Sequence, residues 1–275
     1  LAGWIAGARG AADENALGPM LAALRPRGIG KLVGYFERGP HRQAVLGASL
    51  HDAPARIALV LDGGLANARE LRERLLRHGF KFSGESADEV LLRAYQYWDK
   101  EVVKQLRGPF AFALWDAGKE RLLLARDRFG EKPLYLHEKA DTLLFASEAK
   151  SLLRSGISAK LDTGALRECV ERGYVPGPRT LFAGIRKLQP GCYALWQRGK
   201  LHEVRYWSAP DRSPCLKSAN AQPLEGFLAS LEEAVALHPA DGILLSGGLD
   251  SAVLLALAAK RGGKRALAGF IRLLL

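Results

Sequence analysis

The residue pattern with the clearest chemical content is Leu245-Ser246-Gly247-Gly248-Leu249-Asp250-Ser251, which closes a short apolar run and leads into helix formers from Ala252 to Lys260. Adjacent glycines let a backbone approach an anion closely, and amides at a helix start point toward it with the positive end of the dipole. Ser246 and Ser251 add hydroxyl donors, and Asp250 suits a magnesium ion on bound phosphates. No Gly-Lys-Ser/Thr ending is present, so this is not a P-loop. The bland alternative is a glycine turn between strand and helix, and the full hexapeptide in this setting weighs against it.

The elements around that loop read as strand Ile243–Leu245, helix Ala252–Lys260 and a second strand from Ala266 to Ile271, the opening of a parallel α/β sheet. A helix over 224–237 precedes them, and a Ser/Pro/Asn-rich stretch after Trp207 reads as a linker. Upstream, Ile57–Leu61 is a buried strand ended by Asp62-Gly63-Gly64. Asn67 to about His78 is an amphipathic helix with Leu71, Leu75 and Leu76 on one side. Ser86-Ala87-Asp88-Glu89 is a reciprocal capping box, and the helix it opens runs through Leu106, with Leu91, Tyr95, Trp98 and Val102 at helical spacing. The period then changes. Phe110–Trp115 and Arg121–Ala125 form a hairpin, Leu134–Leu136 and Leu143–Ala146 continue the antiparallel run, and Cys192–Trp196 pairs with Leu201–Arg205 around Gly199.

Composition bounds the function classes. Of 275 residues, 48% are hydrophobic and 25% charged, which excludes a disordered or fibrous chain. No apolar run approaches the roughly 18 residues that span a bilayer, so no membrane partner is expected. The net charge of +11 is spread among interspersed acids and bases, which argues for a solvated surface and against nucleic acid. Cys169, Cys192 and Cys215 fit no zinc or disulfide framework and read as reduced thiols, implying a cytoplasmic protein. The six histidines form no metal-binding cluster. Asp127 reads as the anchor of a turn or an ion pair, Arg128 and Lys132 as solvated charges, and the aromatics from Tyr95 to Trp115 as core. The chain begins at Leu1 and its one methionine is Met20, which predicts a start that is missing or processed.

Ser-Gly-Gly-Leu-Asp-Ser after an apolar strand resembles the pyrophosphate loop of ATP-pyrophosphatase enzymes. The upstream segments narrow the likeness: Gly108–Phe112, Arg126-Asp127-Arg128-Phe129-Gly130-Glu131-Lys132-Pro133-Leu134-Tyr135, Phe145–Lys150, Pro176–Phe182, Gly184–Leu188, Pro190-Gly191 and Arg205-Tyr206-Trp207. In type and order these resemble the glutamine-hydrolysing asparagine synthetase family, from about residue 1 to 260. The resemblance implies an α+β, N-terminal-nucleophile-type β-sandwich flanked by helices over 1–207. A linker over 208–223 and the first strand-loop-helix of a truncated synthetase domain over 224–275 would follow. It implies ATP and magnesium as cofactors on Leu245–Ser251, with Asp250 as the metal ligand. Aspartate or another carboxylate would be adenylated, and ammonia, free or released from glutamine, would displace AMP. A homodimer is the assembly it allows.

The sequence also departs from that family. Its nucleophile is an N-terminal cysteine, and Leu1-Ala2-Gly3 matches the third to fifth residues of its Cys-Gly-Leu-Ala-Gly start, placing the nucleophile before Leu1. A competing register puts Ala2 at the nucleophile and makes a pseudo-enzyme. The family's Asn-Gly-Glu oxyanion loop is here Asp62-Gly63-Gly64, where loss of one donor typically costs about 3 kcal/mol of transition-state stabilisation. Ala87 replaces an amine-binding aspartate, and Leu50 falls where a carboxylate-clamping arginine is expected. The expectation is an eroded glutamine pocket and a chain inactive by itself. The rival readings are a glutamine-independent carboxylate-activating cyclase, of the β-lactam synthetase or lasso-peptide cyclase type, and a non-catalytic scaffold.

Overall fold

Strand Phe110–Asp116 is buried along its whole length, and its alternation explains why. Phe110, Phe112 and Leu114 project to one face and Ala111, Ala113 and Trp115 to the other, so both faces must be covered. The computed structural model describes residues 1–6, 14–24, 33–39, 42–48, 50–52, 56–210, 223–238, 242–260 and 267–270. Of these, the side chains of Trp4, Ala6, Glu14, residues 33–52, Pro223 and residues 267–270 lie outside the description. The chain forms two compact units, Leu1–Ala209 and Pro210–Leu275.

The first unit begins with β1 (Ala2–Ala6), α1 (Glu14–Leu24), β2 (Val33–Gly39), β3 (Arg42–Ala48), β4 (Leu50–Asp52) and β5 (Ile57–Gly63). Helices α2 (Ala68–Arg77), α3 (Ala87–Trp98) and α4 (Val102–Gln105) follow, then β6 (Phe110–Asp116), β7 (Arg121–Arg126), β8 (Tyr135–Lys139) and β9 (Thr142–Ala146). The remainder is α5 (Ala149–Leu153), α6 (Thr163–Arg172), β10 (Arg186–Lys187), β11 (Cys192–Gln197) and β12 (Lys200–Arg205). Two six-stranded antiparallel sheets result, ordered β10-β8-β9-β1-β3-β2 and β12-β11-β7-β6-β5-β4. Between them lies a core of Leu1, Ile5, Val60, Trp115, Leu124 and Phe145 among others. Leu59, Leu71, Leu75, Leu91 and Phe112 seal the second sheet to α2 and α3, while Ala2, Met20, Leu24, Leu144 and Leu152 seal the first to α1 and α5. The order is helix, sheet, sheet, helix.

The structure corrects several sequence expectations. The helix from Ser86 does not run through to Leu106: Asp99 adopts φ +54°, α3 ends at Trp98, and a 3-10 turn over Asp99–Glu101 leads into α4. The capping box is not reciprocal. Ser86 accepts the Glu89 amide, but the Glu89 carboxylate accepts from the Ser83 and Gly84 amides instead. The strands read as one antiparallel run divide between the sheets, because β8 and β9 join β1 while β11 and β12 join β7.

At one end of the sandwich, Tyr95 on α3 donates to Asp116 Oδ2 at 2.7 Å, and Arg121 donates to the Tyr95 hydroxyl at 2.8 Å. Burial pushes the Tyr95 phenol well above its usual range. Asp99 pairs with Arg121 and, at 3.2 Å, with Lys119. Burial alone would raise the Asp99 carboxyl, but these cations outweigh it and hold the carboxyl below its ordinary value.

In the second unit, α7 (Pro223–Leu237) precedes β13 (Gly242–Leu245), α8 (Leu249–Lys260) and β14 (Leu267–Phe270), and β13 pairs with β14 in parallel. The helix at the expected loop starts at Leu249 rather than Ala252. Residues 211–222, most of the expected linker, lie outside the described residues, as does Cys215. Among the described residues no helix is long and apolar enough to cross a membrane.

Tyr95→Phe is expected to lower unfolding free energy by about 1–3 kcal/mol, because the largely buried Asp116 loses its phenolic donor. Urea denaturation would show this as a lower midpoint at unchanged slope. An unchanged midpoint would mean the network adds nothing to stability.

Candidate functional site

The opposite end of the sandwich is where the sequence-predicted positions converge. Asp62 shares the inward face of β5 with Ala58 and Val60, but it is the strand's penultimate residue, where the core gives way to polar groups. Ser147 follows Leu143 and Phe145 inward from the facing sheet. The Ser147 hydroxyl donates to Asp62 Oδ2 at 2.6 Å, bridging the sheets, and its amide donates to the Leu1 carbonyl at 2.9 Å. The start of β1 is therefore seated beside Asp62 by a residue 85 positions distant from it. Lys132 brings its ammonium to 3.6 Å from Asp62 Oδ1. Read from sequence as a solvated charge, Lys132 is instead two-thirds covered and ion-paired.

Gly63 takes φ +109°, and a Cβ there would stand 2.2 Å from the Pro109 carbonyl oxygen and 3.0 Å from Lys132 Cε. Only glycine fits. The Gly64 amide donates to that same Pro109 oxygen at 2.9 Å. Asn67, buried at the head of α2, clamps the turn from behind: its amide donates to the Gln105 carbonyl and its oxygen accepts the Arg107 amide. Ala87 is the first residue of α3 and packs against the helix-side core. Leu50 pairs through its backbone with Leu59 in the second sheet, while its side chain lies outside the described residues.

Lys132 is delivered by the turn after β7. Asp127, 1% exposed, accepts the amides of Phe129, Glu131 and Lys132. Arg126, 8% exposed, donates to the carbonyls of Lys132, Leu188 and Gly130. The Tyr206 hydroxyl donates to the Arg126 carbonyl, and burial pushes that phenol far above its usual range. Asp127 thus anchors a turn, as its sequence context implied. Arg128, read from sequence as a solvated charge, sits half-buried in the same turn.

In the second unit the Ser246 and Ser251 hydroxyls lie 3.2 Å apart, the Gly248 amide donates to Ser246 Oγ at 3.3 Å, and Ser251 Oγ donates to the Gly248 carbonyl. Gly247 takes φ +85° with open space where a side chain would be. Leu245 ends the strand, and Leu249 and Asp250 open α8, exposed. The loop is a preformed turn of amides, hydroxyls and one carboxylate, a donor set that fits phosphates with a hard cation. Among the described residues no cluster of three or more His, Cys, Asp or Glu is placed to hold a metal alone.

Sequence reasoning missed Ser147 and the pairing role of Lys132. Both stood inside motifs quoted for the resemblance, but nothing along the chain says that either meets Asp62.

Residues 2–207 match the profile of a family described as glutamine amidotransferase domain. A Mycobacterium tuberculosis protein named as a glutamine-hydrolysing asparagine synthetase is 39% identical over 219 residues, covering 75% of this chain and 34% of its own. Asparagine synthetase 1 of Bacillus subtilis, also named as glutamine-hydrolysing, is 32% identical over 205 residues, covering 73% and 32%. The chain spans about a third of the length of these curated relatives. Among solved structures, the allosteric regulatory enzyme of purine biosynthesis aligns with a TM-score of 0.53 at 16% identity, over 98% of this chain and 64% of that one, a likeness of fold.

Gly63→Ala is expected to destabilise the first unit by about 1–3 kcal/mol, since the backbone is strained and the Pro109 oxygen cannot yield. Gly64→Ala meets open space and is expected to stay within about 0.5 kcal/mol of wild type. Equal melting temperatures for the two variants would contradict the turn geometry.

Proposed function

The chain belongs to the glutamine amidotransferase domain family, and from that premise we propose that it forms part of an ATP-dependent amide-forming enzyme of the asparagine-synthetase kind. The observation that carries the reading beyond the family is the strand-loop-helix of β13 and α8, with its phosphate-fitting turn. In this reading Pro210–Leu275 opens the synthetase domain. The amides and hydroxyls of Ser246–Ser251 hold a nucleotide's phosphates, and Asp250 holds their magnesium. An unactivated carboxylate is a poor acyl donor. Transfer of the adenylyl group from ATP to aspartate, or to a related carboxylate, supplies a good leaving group that ammonia can displace.

The first unit supplies the nitrogen in this scheme, by hydrolysing glutamine at the mouth formed by Leu1, Asp62, Gly63 and Ser147. Three positions lower its expected efficiency. Asp62 is acceptor-only when ionised and cannot donate to a developing anionic oxygen, Gly64 has no side chain to hold the substrate amine, and Ala87 offers no carboxylate. These same residues favour a second reading, in which the ligase takes free ammonia, or an amine of its own substrate, and the first unit is a retained scaffold.

The whole protein is expected to exchange pyrophosphate into ATP only when aspartate is present, and Asp250→Ala is expected to abolish that exchange. Exchange that ignores aspartate would replace asparagine synthesis with another acceptor. Product formed equally well from ammonium and glutamine favours the first reading, and product from ammonium alone favours the second. No exchange with any carboxylate would leave only the scaffold.

A further inference from the structure

The mouth of the sandwich holds an arrangement of charge built from Asp62, Ser147 and Lys132. Asp62 is satisfied on one oxygen by Ser147, and Lys132 stands beside the other at 3.6 Å, near enough to neutralise it but outside hydrogen-bond distance. Among the described residues Lys132 Nζ donates no hydrogen bond, so a cation with three N–H donors is held at the Asp62–Gly64 turn with its donors uncommitted. Its placement is not that of a loose surface lysine. Its amide donates to Asp127 and its carbonyl accepts from Arg126, so the backbone is fixed at both ends. Its stem lies over Gly63, where a Cβ would come within 3.0 Å of Cε and 3.1 Å of Cγ. The absent side chain at Gly63 is therefore the channel along which the ammonium is delivered.

We propose that Lys132 is a catalytic residue of the glutamine pocket, its ammonium donating to the anionic oxygen formed when the glutamine side-chain amide is attacked. The proposal rests on the reading of Asp62–Gly64 as the edge of that pocket. Attack forms one bond from the nucleophile to the amide carbon and moves the carbonyl π pair onto oxygen. That oxygen returns the pair as the carbon–nitrogen bond breaks, and the nitrogen leaves as ammonia carrying the proton the nucleophile gave up. Water then releases glutamate by the same addition and collapse. Lys132 neither gains nor loses a proton in this sequence. It stabilises charge where the Asp62 carboxylate alone would repel it, and Asp62 in turn holds the ammonium in place. A donor that acts on an oxygen charged only in the transition state affects kcat rather than KM.

The test is glutamate release from L-glutamine by the whole protein. Lys132→Met is expected to lower kcat by about tenfold or more while KM changes by less than about threefold. Lys132→Arg is expected to recover most of the loss, because it restores a cationic donor. In an Asp62→Asn background, which adds a neutral donor and removes the repelling charge, Lys132→Met is expected to cost markedly less. Lys132→Gln serves if the methionine variant melts at a lower temperature than wild type. A kcat within about twofold of wild type in the methionine variant, a change confined to KM, or an arginine variant as poor as methionine would each overturn the role of Lys132 alone. Wild-type protein that releases no glutamate would overturn the glutamine pocket and the proposal together.

Discussion

The first unit depends on one adjacent pair of buried opposite charges, Arg126 and Asp127. Neither stands in a simple ion pair. Arg126 spends its guanidinium on three backbone carbonyls, and Asp127 spends its carboxylate on three backbone amides, all but one of the six in the turn that follows. Bonds to charged groups contribute about 1.5–3 kcal/mol each, and a buried charge left without them is costly. The turn therefore has a single low-energy path. Burial also draws the guanidinium below its usual range, the sign of a charge removed from water for structural use. The sixth bond reaches Leu188, and the Asp127 carbonyl accepts from Gly191, so the same pair ties the turn to the segment that leads into β11.

What this rigidity produces is a polar mouth on an otherwise apolar sandwich. The inward faces of β5 and β9 carry Ala58, Val60, Leu143 and Phe145, and Asp62 near the end of β5 and Ser147 just after β9 continue those faces with polar groups. A lone carboxylate there would be under strain from desolvation. With a hydroxyl on one oxygen and an ammonium beside the other it is tolerated, and the Leu1 carbonyl is drawn into the same group through the Ser147 amide. The opposite end of the sandwich is closed differently. There Tyr95, Asp116, Arg121 and Asp99 bond to one another, whereas at the mouth the Lys132 ammonium donates no hydrogen bond among the described residues.

Much of the strand content was legible because the core strands are short apolar runs cut by glycine turns. β5, β6, β7 and β11 fall within a residue or two of their expected bounds. The break at Asp99 was not legible, since the apolar period continues through Val102 and Val103 while the backbone departs from it. The capping box failed for a related reason: Glu89 finds two free amides in the preceding turn, at Ser83 and Gly84, and satisfies them instead of the cap residue. Sheet membership was also hidden. β8 and β9 pair locally with each other, and only their contact with β1 at the chain start places them in the other layer.

The sequence by itself determined the α+β character of the first unit, the glycine turns at Gly63 and Gly247, the turn-anchoring role of Asp127 and membership of an amidotransferase family. Each rests on local chemistry, where residue type and spacing constrain the backbone directly. Only the tertiary structure decided that Asp62 meets Ser147 across the sandwich and Lys132 across a turn. Those contacts join residues 85 and 70 positions apart, and their geometry is fixed by which faces of two sheets are buried against each other. Charge at a protein surface reads the same in sequence whether it is solvated or held over a glycine, and only packing separates the two.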